Sequence, residues 1–288
     1  MKVLVCGVGG ISGNTVASVL SERGFAVRAL VHRPERKDEA AALGAQEVVV
    51  ADYDDEESVR RAAEGVDAIY FVAASYRESE PRWVEVMLRA ATGSGADRFV
   101  YHSVLHPYTP SMPHHERKAK AEILVRASGL RWTILQPAMY AQTVLRIRQR
   151  SRDGELHVPY DPDAKFAVID VCDIGACAAS VLADDAHVYA CYELAGAEIQ
   201  SVREMAATMD RVLGEPRRIV QVDPKTLPLP PAWGERQRHE YALMCQEYDA
   251  HGLLGSSTVA ELLLGRKPTP FADVVARDVR DAQTGSVR

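Results

Sequence analysis

The stretch KVLVCGVGGISG, residues 2–13, decides the fold of this 288-residue chain. A short apolar run is followed at once by glycines at positions 7, 10 and 13, and then by an apolar-periodic segment over 14–23. A strand, a tight glycine turn and a helix bring backbone N–H groups and a helix N-terminus to one point, which suits a pyrophosphate. The stretch therefore predicts a dinucleotide site formed by Gly7, Gly10, Ile11, Ser12 and Gly13.

The three spaced glycines meet different steric needs in this prediction. Gly7 turns the chain where a side chain would clash, Gly10 lets the backbone approach the phosphates, and Gly13 lets the helix pack closely on the strand. A purely structural glycine turn is the alternative, because such turns are common. A strand over 26–31 closes the unit and favours the nucleotide interpretation.

Strand-like and helix-like segments alternate through the first half of the chain. The predicted strands cover 2–6, 26–31, 47–51, 68–73, 98–103 and 132–136, and the predicted helices cover 14–23, 36–43, 56–64, 82–92, 115–127 and 139–148. Several strands are nearly continuous apolar runs, which is typical of strands covered by helices on both faces. The predicted fold class is α/β, with a doubly wound, Rossmann-like parallel sheet.

The alternation stops after residue 150, which sets the predicted domain boundary. Residues 1–150 are interpreted as the dinucleotide-binding domain, and 151–288 as a smaller α+β lobe that is partly interwoven with it and covers the carboxyl edge of the sheet. The predicted elements of this lobe are a turn at 152–154, strands at 155–158, 166–168, 189–194 and 217–222, and helices at 171–182, 201–213, 232–251 and 258–264.

Composition narrows the classes of function. Apolar residues make up 47% and charged residues 26% of the chain, as in ordinary globular proteins. The net charge of −6 argues against a general nucleic-acid or membrane-surface binder, and no apolar run is long enough for a membrane span. A strand that begins at residue 2 leaves no room for a signal peptide. The five cysteines form no CxxC pair, which favours a reducing cytoplasm without disulfides or a metal site.

A basic pair follows the second predicted strand. Arg33 lies 20 residues beyond Gly13, where dinucleotide sites place an acid when the adenosine ribose has a free 2′-hydroxyl, and Lys37 follows one helical turn later. A guanidinium can clamp a 2′-phosphate bidentately, so the pair predicts NADP in preference to NAD. The alternative is a solvated loop, because Glu35 and Asp38 intersperse the basic residues.

Residues at other strand ends complete the predicted cofactor site. Asp52 is placed to accept a hydrogen bond from the adenine amino group, or it caps the turn that it shares with Asp54. Ala73 leaves space for the cofactor to cross the sheet, or it is a packing residue. Ser103 ends the fifth strand, where ligands bind in open α/β sheets. Pro137 stops the sixth strand, and the backbone after it can lie along a nicotinamide.

The segment that begins at His114 supplies candidates for the reaction itself. His114 and Lys118 are four residues apart, so they share a helical face, which Glu122 extends. This pair could bind a ribose and position a proton donor, or it could be a solvated helix face. Tyr140 follows the sixth strand and lines a substrate pocket in this interpretation, unless it is a core residue of a helix.

Together these residues resemble the NmrA-like branch of the atypical short-chain dehydrogenase/reductase superfamily. The matching segments are Gly7-x-x-Gly10-x-x-Gly13, Arg33 with Lys37, Asp52, Phe99-Val100-Tyr101-His102-Ser103, His114-x-x-x-Lys118-x-x-x-Glu122 and SGLRWTILQP at 128–137. The resemblance covers the first half of the chain well and the second half only in layout. It implies an NAD(P)-binding Rossmann fold in which Lys118 contacts the nicotinamide ribose.

The proton donor is where the chain departs from that superfamily. Its usual catalytic pair is Tyr-x-x-x-Lys, and none of the 11 tyrosines here has a lysine four residues later. His114 stands at the position of that tyrosine, and imidazole titrates near neutral pH. Tyr108, His106 and Tyr140 are alternatives. A quinone, azo or dye-like acceptor could also take its proton from water.

Two functions fit these residues. The first is an NADPH-dependent reductase that transfers hydride to a small apolar or aromatic acceptor of quinone, azo or carbonyl type, with Lys118, His114 and Tyr140 as the candidate catalytic residues. The second is a non-catalytic NAD(P)-binding redox sensor that acts on a protein partner, which the missing Tyr-x-x-x-Lys pair favours. Lys118, Ser103 and the sizeable second lobe favour the reductase.

Overall fold

A computed structural model of the chain describes residues 1–150 and 154–284. The strands are β1 (Lys2–Val5), β2 (Ala26–Val31), β3 (Glu47–Val50), β4 (Ala68–Phe71), β5 (Arg98–His102), β6 (Arg131–Pro137), β7 (Glu155–Val158), β8 (Lys165–Phe166), β9 (Ala190–Leu194), β10 (Gln200–Ser201) and β11 (Arg218–Gln221). The helices are α1 (Ile11–Glu22), α2 (Lys37–Ala42), α3 (Glu56–Ala63), α4 (Glu80–Ser94), α5 (Pro113–Ala127), α6 (Ala141–Arg150), α7 (Val171–Ala183), α8 (Val202–Leu213), α9 (Glu235–His251), α10 (Thr258–Leu264) and α11 (Phe271–Thr284).

The central sheet has seven strands in the order β3-β2-β1-β4-β5-β6-β9, and every pair in it is parallel. The chain runs outward from β1 to β3 and then returns to the other side of β1 with β4. The order therefore reverses between β1 and β4, and a crevice opens there at the carboxyl ends of the strands. The predicted doubly wound α/β fold is confirmed.

Both faces of the sheet are buried, as the apolar runs predict. Along β4, Tyr70 packs into the apolar layer on one face and Phe71 into the layer on the other. Along β5, Val100 and Tyr101 divide between the same two layers. This alternation decides which side chains meet at the ends of the strands, because successive residues point to opposite faces.

The second half of the chain returns to the same sheet. β9 pairs with the outer edge of β6, and α7 packs against α1. The packing is close at Gly175, where a Cβ atom would lie 3.0 Å from a methyl group of Val19. The proposed division at residue 150 stays a prediction, and the predicted turn at 152–154 lies mostly outside the described residues.

Several helices begin at positions that differ from the predicted ones. α1 begins at Ile11 rather than at 14, so the end of the glycine turn is also the first turn of the helix. α4 begins at Glu80, two residues early, with a proline in its first turn. α6 begins at Ala141, so Tyr140 precedes the helix and is not one of its core residues.

Helix α11 was not predicted at all. Its buried residues Phe271, Val274 and Val275 stand at the i, i+3 and i+4 positions of a helix and directly follow Pro270. A proline just before an apolar-periodic run is a helix-start signal.

No helix in the described ranges is long and apolar enough to cross a membrane. Within those same ranges, no group of three or more histidine, cysteine or acidic side chains is arranged to hold a metal ion.

Candidate functional site

The glycine turn between β1 and α1 is as tight as its spacing predicts. Gly7 has a φ of +78°, and a Cβ atom there would lie 2.5 Å from the carbonyl oxygen of Val72. A Cβ atom at Gly13 would lie 2.1 Å from the carbonyl oxygen of Gly7. These contacts confirm the steric need for glycine at both positions. At Gly10 the nearest atom would be 3.4 Å away, so the turn itself has room there for a methyl group.

The amino end of α1 is open to an anion. Gly10 occupies the N-cap position, and within the described chain no side chain caps the helix and no acidic residue lies in its first turn. In contrast, Asp55 caps α3 and Ser201 caps α8. Asn14 Oδ1 accepts a hydrogen bond of 2.6 Å from the Gly9 N–H and pins the turn. Uncapped N–H groups and the positive end of the helix dipole fit a pyrophosphate.

The predicted 2′-phosphate residues lie at the carboxyl end of β2. Arg33 and Lys37 are exposed, and neither forms an ion pair with another described residue. The neighbouring Arg36 is instead paired with Glu39 at 2.5 Å. Two unpaired cations one helical turn apart fit a phosphate dianion.

Asp52 and Ala73 follow β3 and β4, which both end at the carboxyl edge of the sheet. The Asp52 carboxylate accepts a hydrogen bond of 3.0 Å from the backbone of Asp54, so it does stabilise the turn that follows β3. It is also exposed, and its role toward adenine stays a prediction. Ala73 is buried just beyond β4.

A chain of hydrogen bonds links the glycine turn to the sheet. Ser12 bonds to the phenol of Tyr140, whose Oη lies 2.7 Å from Nε2 of His102, and His102 Nδ1 lies 2.6 Å from Oη of Tyr70. Burial raises the pKa of Tyr140 to about 12. Burial, with a smaller effect of the Lys118 charge, lowers the pKa of His102 to about 3. At neutral pH Tyr140 therefore keeps its proton and His102 is uncharged.

This hydrogen-bond chain orients Tyr140 and does not deliver protons from solvent. Its inner end is Tyr70, which is fully buried and whose pKa burial raises well above the usual value. A relay would have to leave a phenolate in the interior, where an unpaired charge is costly.

Lys118 is held in the interior rather than on a solvated helix face. Its side chain is 13% exposed, and Nζ donates to Glu80 Oε1 at 2.7 Å and to the carbonyl oxygen of His102 at 3.2 Å. The same Glu80 oxygen accepts a hydrogen bond of 2.8 Å from Tyr101. A lysine ammonium has three donors, and the third has no partner in the described part of the chain. It is therefore available to a ligand.

Ser103 and Glu122 lie deeper than the sequence predicts. The Ser103 hydroxyl donates to Glu122 Oε1 at 2.5 Å, and Gln136 donates to the same oxygen at 2.7 Å. Glu122 is fully buried and so does not extend an exposed face. The cofactor role of Ser103 stays a prediction. Pro137 ends β6, and its carbonyl oxygen accepts from the Leu105 N–H at 2.9 Å.

His114 is in a different ionisation state from the one expected. Its ring lies 4.7 Å from Tyr76 and 4.5 Å from His115, between centroids, and its Nδ1 has no hydrogen-bond partner among the described residues. Burial, and then the nearby charges of His115, Lys118 and Arg117, hold the pKa of His114 well below its usual value. The ring is therefore neutral near pH 7, and its role as the acid stays a prediction.

Aromatic side chains from the second half cover this part of the site. The ring of Tyr76, in the loop after β4, lies 4.9 Å from Trp233 and 6.4 Å from Tyr241. Tyr76 has a φ of +60°, a strained conformation for a tyrosine. Arg236 donates to its carbonyl oxygen at 3.2 Å and so ties α9 to the loop.

A buried carboxylate fastens the same cover to α5. Glu240 of α9 pairs with Arg117 of α5 and, at 2.6 Å, with Arg236 of its own helix. The pair with Arg117 therefore holds α9 against α5.

The sequence does not single out His102, Glu80 or Tyr76. The position of His102 could have been predicted, because His102 and Val100 are two residues apart on a predicted strand and so point to the same face of the sheet. Tyr70 pairs with Val100 on the neighbouring strand and lies on that face too. Tyr76 lies in the loop after β4, and Glu80 lies in the first turn of α4. No local sequence pattern predicts that Glu80 contacts α5 or that Tyr76 contacts α9.

Acid is expected to destabilise the protein from about pH 6.5 downward. His102 and His115, with folded pKa values of about 3 and about 4, stay neutral there, whereas the unfolded chain takes up protons near pH 6.5. The unfolded state then binds more protons, so the free energy of unfolding falls as the pH falls. The slope approaches about 1.4 kcal/mol per pH unit for each histidine between pH 6.5 and 5. Urea unfolding across that window measures it, and a His102→Gln variant with an equally steep slope contradicts the assignment.

Comparison with known proteins gives matches over most of the chain. The sequence profile of the NmrA-like family matches residues 1–273. A (4-alkanoyl-5-oxo-2,5-dihydrofuran-3-yl)methyl phosphate reductase of Streptomyces griseus is 31% identical over 222 residues, which are 76% of this chain and 77% of that one. An NAD(P)H azoreductase of Xenophilus azovorans is 26% identical over 281 residues, which are 94% of this chain and 96% of that one.

The fold has a close counterpart among solved structures. The NADPH-dependent quinone oxidoreductase of Escherichia coli, in its complex with NADPH, matches with a TM-score of 0.81 and 23% identity. The match covers 97% of this chain and 100% of that one. At this identity the likeness shows a shared fold.

Proposed function

The chain belongs to the NmrA-like family, and from that membership we propose that it is an NADPH-dependent reductase. It transfers hydride to a small apolar or aromatic acceptor of quinone, azo or carbonyl type. One observation carries the proposal: the open amino end of α1, the Lys118 ammonium and the Tyr140 phenol lie along one edge of the sheet. The reductase activities named for two relatives that match most of the chain support it.

The cofactor is NADP, bound across the crevice between β1 and β4. The N–H groups of Ile11, Ser12 and Gly13 bind the pyrophosphate, and Arg33 with Lys37 binds the 2′-phosphate. Asp52 accepts a hydrogen bond from the adenine amino group, and the small side chain of Ala73 leaves space for the cofactor. NAD is disfavoured, because it would leave the two cations without their anion.

The reacting end of the site lies beside β5 and β6. When bound, the dihydronicotinamide supplies a hydride. The third donor of Lys118 binds a hydroxyl group of its ribose, and the backbone after Pro137 lies along the nicotinamide. Tyr140 is protonated at neutral pH and donates a hydrogen bond to the acceptor atom on which negative charge develops. With each of these acceptor classes, water supplies the proton that completes the reduction.

The acceptor binds beside an aromatic cluster formed by the loop after β4, the start of α5 and the segment around the start of α9. Tyr76, His114, Trp233 and Tyr241 present ring faces and edges to one another in this region. A planar aromatic molecule gains from offset or edge-to-face contact with such rings in addition to apolar burial. The neutral state of His114 suits this packing role.

The test combines binding with turnover. Titration calorimetry with NADPH, NADP, NADH and NAD measures cofactor preference, and NADPH consumption with quinones, azo dyes and aryl ketones measures reduction. We expect preference for the phosphorylated cofactors and turnover with at least one acceptor class. Equal binding of NADPH and NADP without turnover on any acceptor contradicts the reductase and supports the redox sensor.

Arg33→Ala is expected to weaken NADPH binding by about tenfold or more while NADH binding changes little. A hydrogen bond to a charged group contributes about 1.5–3 kcal/mol, and only NADPH has the 2′-phosphate that Arg33 would clamp. Calorimetry with both cofactors measures the difference. Arg36→Ala is the matched control, because Arg36 is already paired with Glu39. Equal loss of both cofactors in Arg33→Ala removes the argument for the 2′-phosphate.

Tyr140→Phe is expected to lower the rate with a carbonyl acceptor by about tenfold, because it removes one hydrogen-bond donor at the developing charge. Steady-state rates with that acceptor measure the effect.

His114→Phe keeps the ring packing, and we expect its pH–rate profile to match that of the wild type between about pH 6 and 8. Steady-state rates across that pH range test this expectation. If the wild-type rate depends on a group that titrates in this range, and His114→Phe no longer shows that dependence, then His114 is the acid.

A further inference from the structure

We propose that Glu80 is the positioning residue for Lys118, so that α4 contributes to a site whose other parts come from β1, β5, β6 and α5. The inference rests on the proposed function, in which Lys118 binds the nicotinamide ribose. It concerns a carboxylate that no motif singles out and that the reaction itself does not use.

The contact between the two side chains is direct and shielded from water. Lys118 Nζ donates to Glu80 Oε1 at 2.7 Å, and the side chains are 13% and 3% exposed. Hydrogen bonds in which both partners are charged are shorter and stronger than neutral ones. Solvent screening, which makes exposed ion pairs weak, is largely absent here.

Glu80 is itself fixed from two sides. Its Oε1 also accepts from the hydroxyl of Tyr101, which is fully buried, at 2.8 Å. Glu80 is the first residue of α4, where the positive end of the helix dipole favours a carboxylate. The acid is therefore anchored to a strand and to a helix end before it meets the lysine.

These contacts hold Nζ of a flexible side chain at one place. The ammonium is bonded to Glu80 and to the carbonyl oxygen of His102, and it lies 5.4 Å from the ring centroid of Tyr101. Two of its three donors are occupied by fixed acceptors, so the remaining donor is directed rather than free to rotate. Loss of Glu80 would leave His102 as the single hydrogen-bonding anchor among the described residues.

A purely structural role explains the pair less well. Burying two charges is costly, and apolar residues of similar size often stabilise a fold as much or more. α4 and α5 already pack through apolar residues such as Met87 and Val125. A buried ion pair at the edge of the crevice is better explained if the ammonium is used there.

The experiment compares two ligands in Glu80→Gln and in Glu80→Gln/Lys118→Met. NADPH contains the nicotinamide ribose, whereas adenosine 2′,5′-bisphosphate contains only the adenosine half. We expect Glu80→Gln to weaken NADPH binding by about tenfold and to leave binding of the bisphosphate unchanged. In the Lys118→Met background the same substitution should cause no further loss of NADPH affinity.

Two further variants separate positioning from general stability. Asp173→Asn removes a fully buried carboxylate whose partners are Arg266, at 2.6 Å, and Thr269. It should lower the Tm without changing NADPH affinity. Tyr101→Phe removes the hydroxyl that also holds Glu80. It should weaken NADPH binding less than Glu80→Gln does, and it should leave binding of the bisphosphate unchanged. If Glu80→Gln does not fold, Tyr101→Phe decides the question with the same two ligands.

The outcomes distinguish this inference from the proposed function. Wild-type protein that binds neither ligand overturns both. Wild-type protein that binds NADPH normally while Glu80→Gln binds it equally well overturns the positioning role alone. Glu80→Gln that weakens binding of both ligands equally also overturns it. So does a Glu80→Gln substitution that weakens NADPH binding as much in the Lys118→Met background as in the wild type. In both cases Glu80 would act on the fold as a whole.

Discussion

Gly13→Ala is expected to abolish NADPH binding and to lower the free energy of unfolding by roughly 3 kcal/mol or more. The added Cβ atom would lie 2.1 Å from the carbonyl oxygen of Gly7 and 2.8 Å from the nitrogen of Val8. Both are backbone atoms, so no side-chain rotation relieves the clash. Either the turn or α1 must shift, and the N–H groups that we propose as the pyrophosphate site shift with it. Urea unfolding and calorimetry with NADPH measure the two effects.

Two other glycines serve as comparisons for that variant. Gly10→Ala meets its nearest atom at 3.4 Å, so we expect it to keep its stability and still lose NADPH affinity, because the methyl group would meet the phosphates. Gly93→Ala, in α4, meets nothing within 4 Å and should gain about 0.5–1 kcal/mol in stability with no change in binding. Normal NADPH binding by Gly10→Ala would show that the phosphates do not approach that residue.

Lys118→Met should lower kcat/KM by roughly a hundredfold or more. Methionine has a similar reach but no donor, so the proposed contact with the ribose loses a charge-assisted hydrogen bond, which is worth up to about 3 kcal/mol. The substitution also leaves Glu80 buried without its cation, which costs about 3–5 kcal/mol of stability. Rates must therefore be measured well below the Tm of the variant.

Lys120→Met is the matched control for that experiment. Lys120 lies on the same helix, but it is exposed and paired with Glu116 at 3.0 Å. Pairs of this kind contribute little, so rate and stability should both remain close to those of the wild type. Full activity of Lys118→Met would exclude Lys118 from the reaction.

The parts of the fold that could be predicted are those with local signals. The apolar run before Gly7 and the spacing of the glycines predict β1, the turn and the crevice beside it. The start of α1 could not be read in the same way, because Ile11, Ser12 and Gly13 show no helical apolar period. What the fold requires there is the close approach of Gly13 to the backbone of Gly7 and Val8, which no local period displays.

In the candidate site, too, the residues that could be predicted are those with a local sequence signal. Arg33 and Tyr140 could be placed because each follows a strand whose end lies at the carboxyl edge of the sheet. The partner of Lys118 could not, because Glu80 is 38 residues away and meets it only after α4 and α5 have packed. The low pKa of His114 could not be predicted either, because burial lowers it and a sequence does not display burial.

The seventh strand has a consequence for synthesis on the ribosome. β6 is covered at its outer edge by β9, and α1 is covered by α7, yet both covering elements are translated after the first six strands of the chain. Until Leu194 leaves the exit tunnel, the nascent sheet presents an unpaired edge and α1 an uncovered apolar face. Open edges and apolar surface recruit other chains. We therefore expect the emerging chain to need chaperone protection during this interval and to lose that need once β9 is in place.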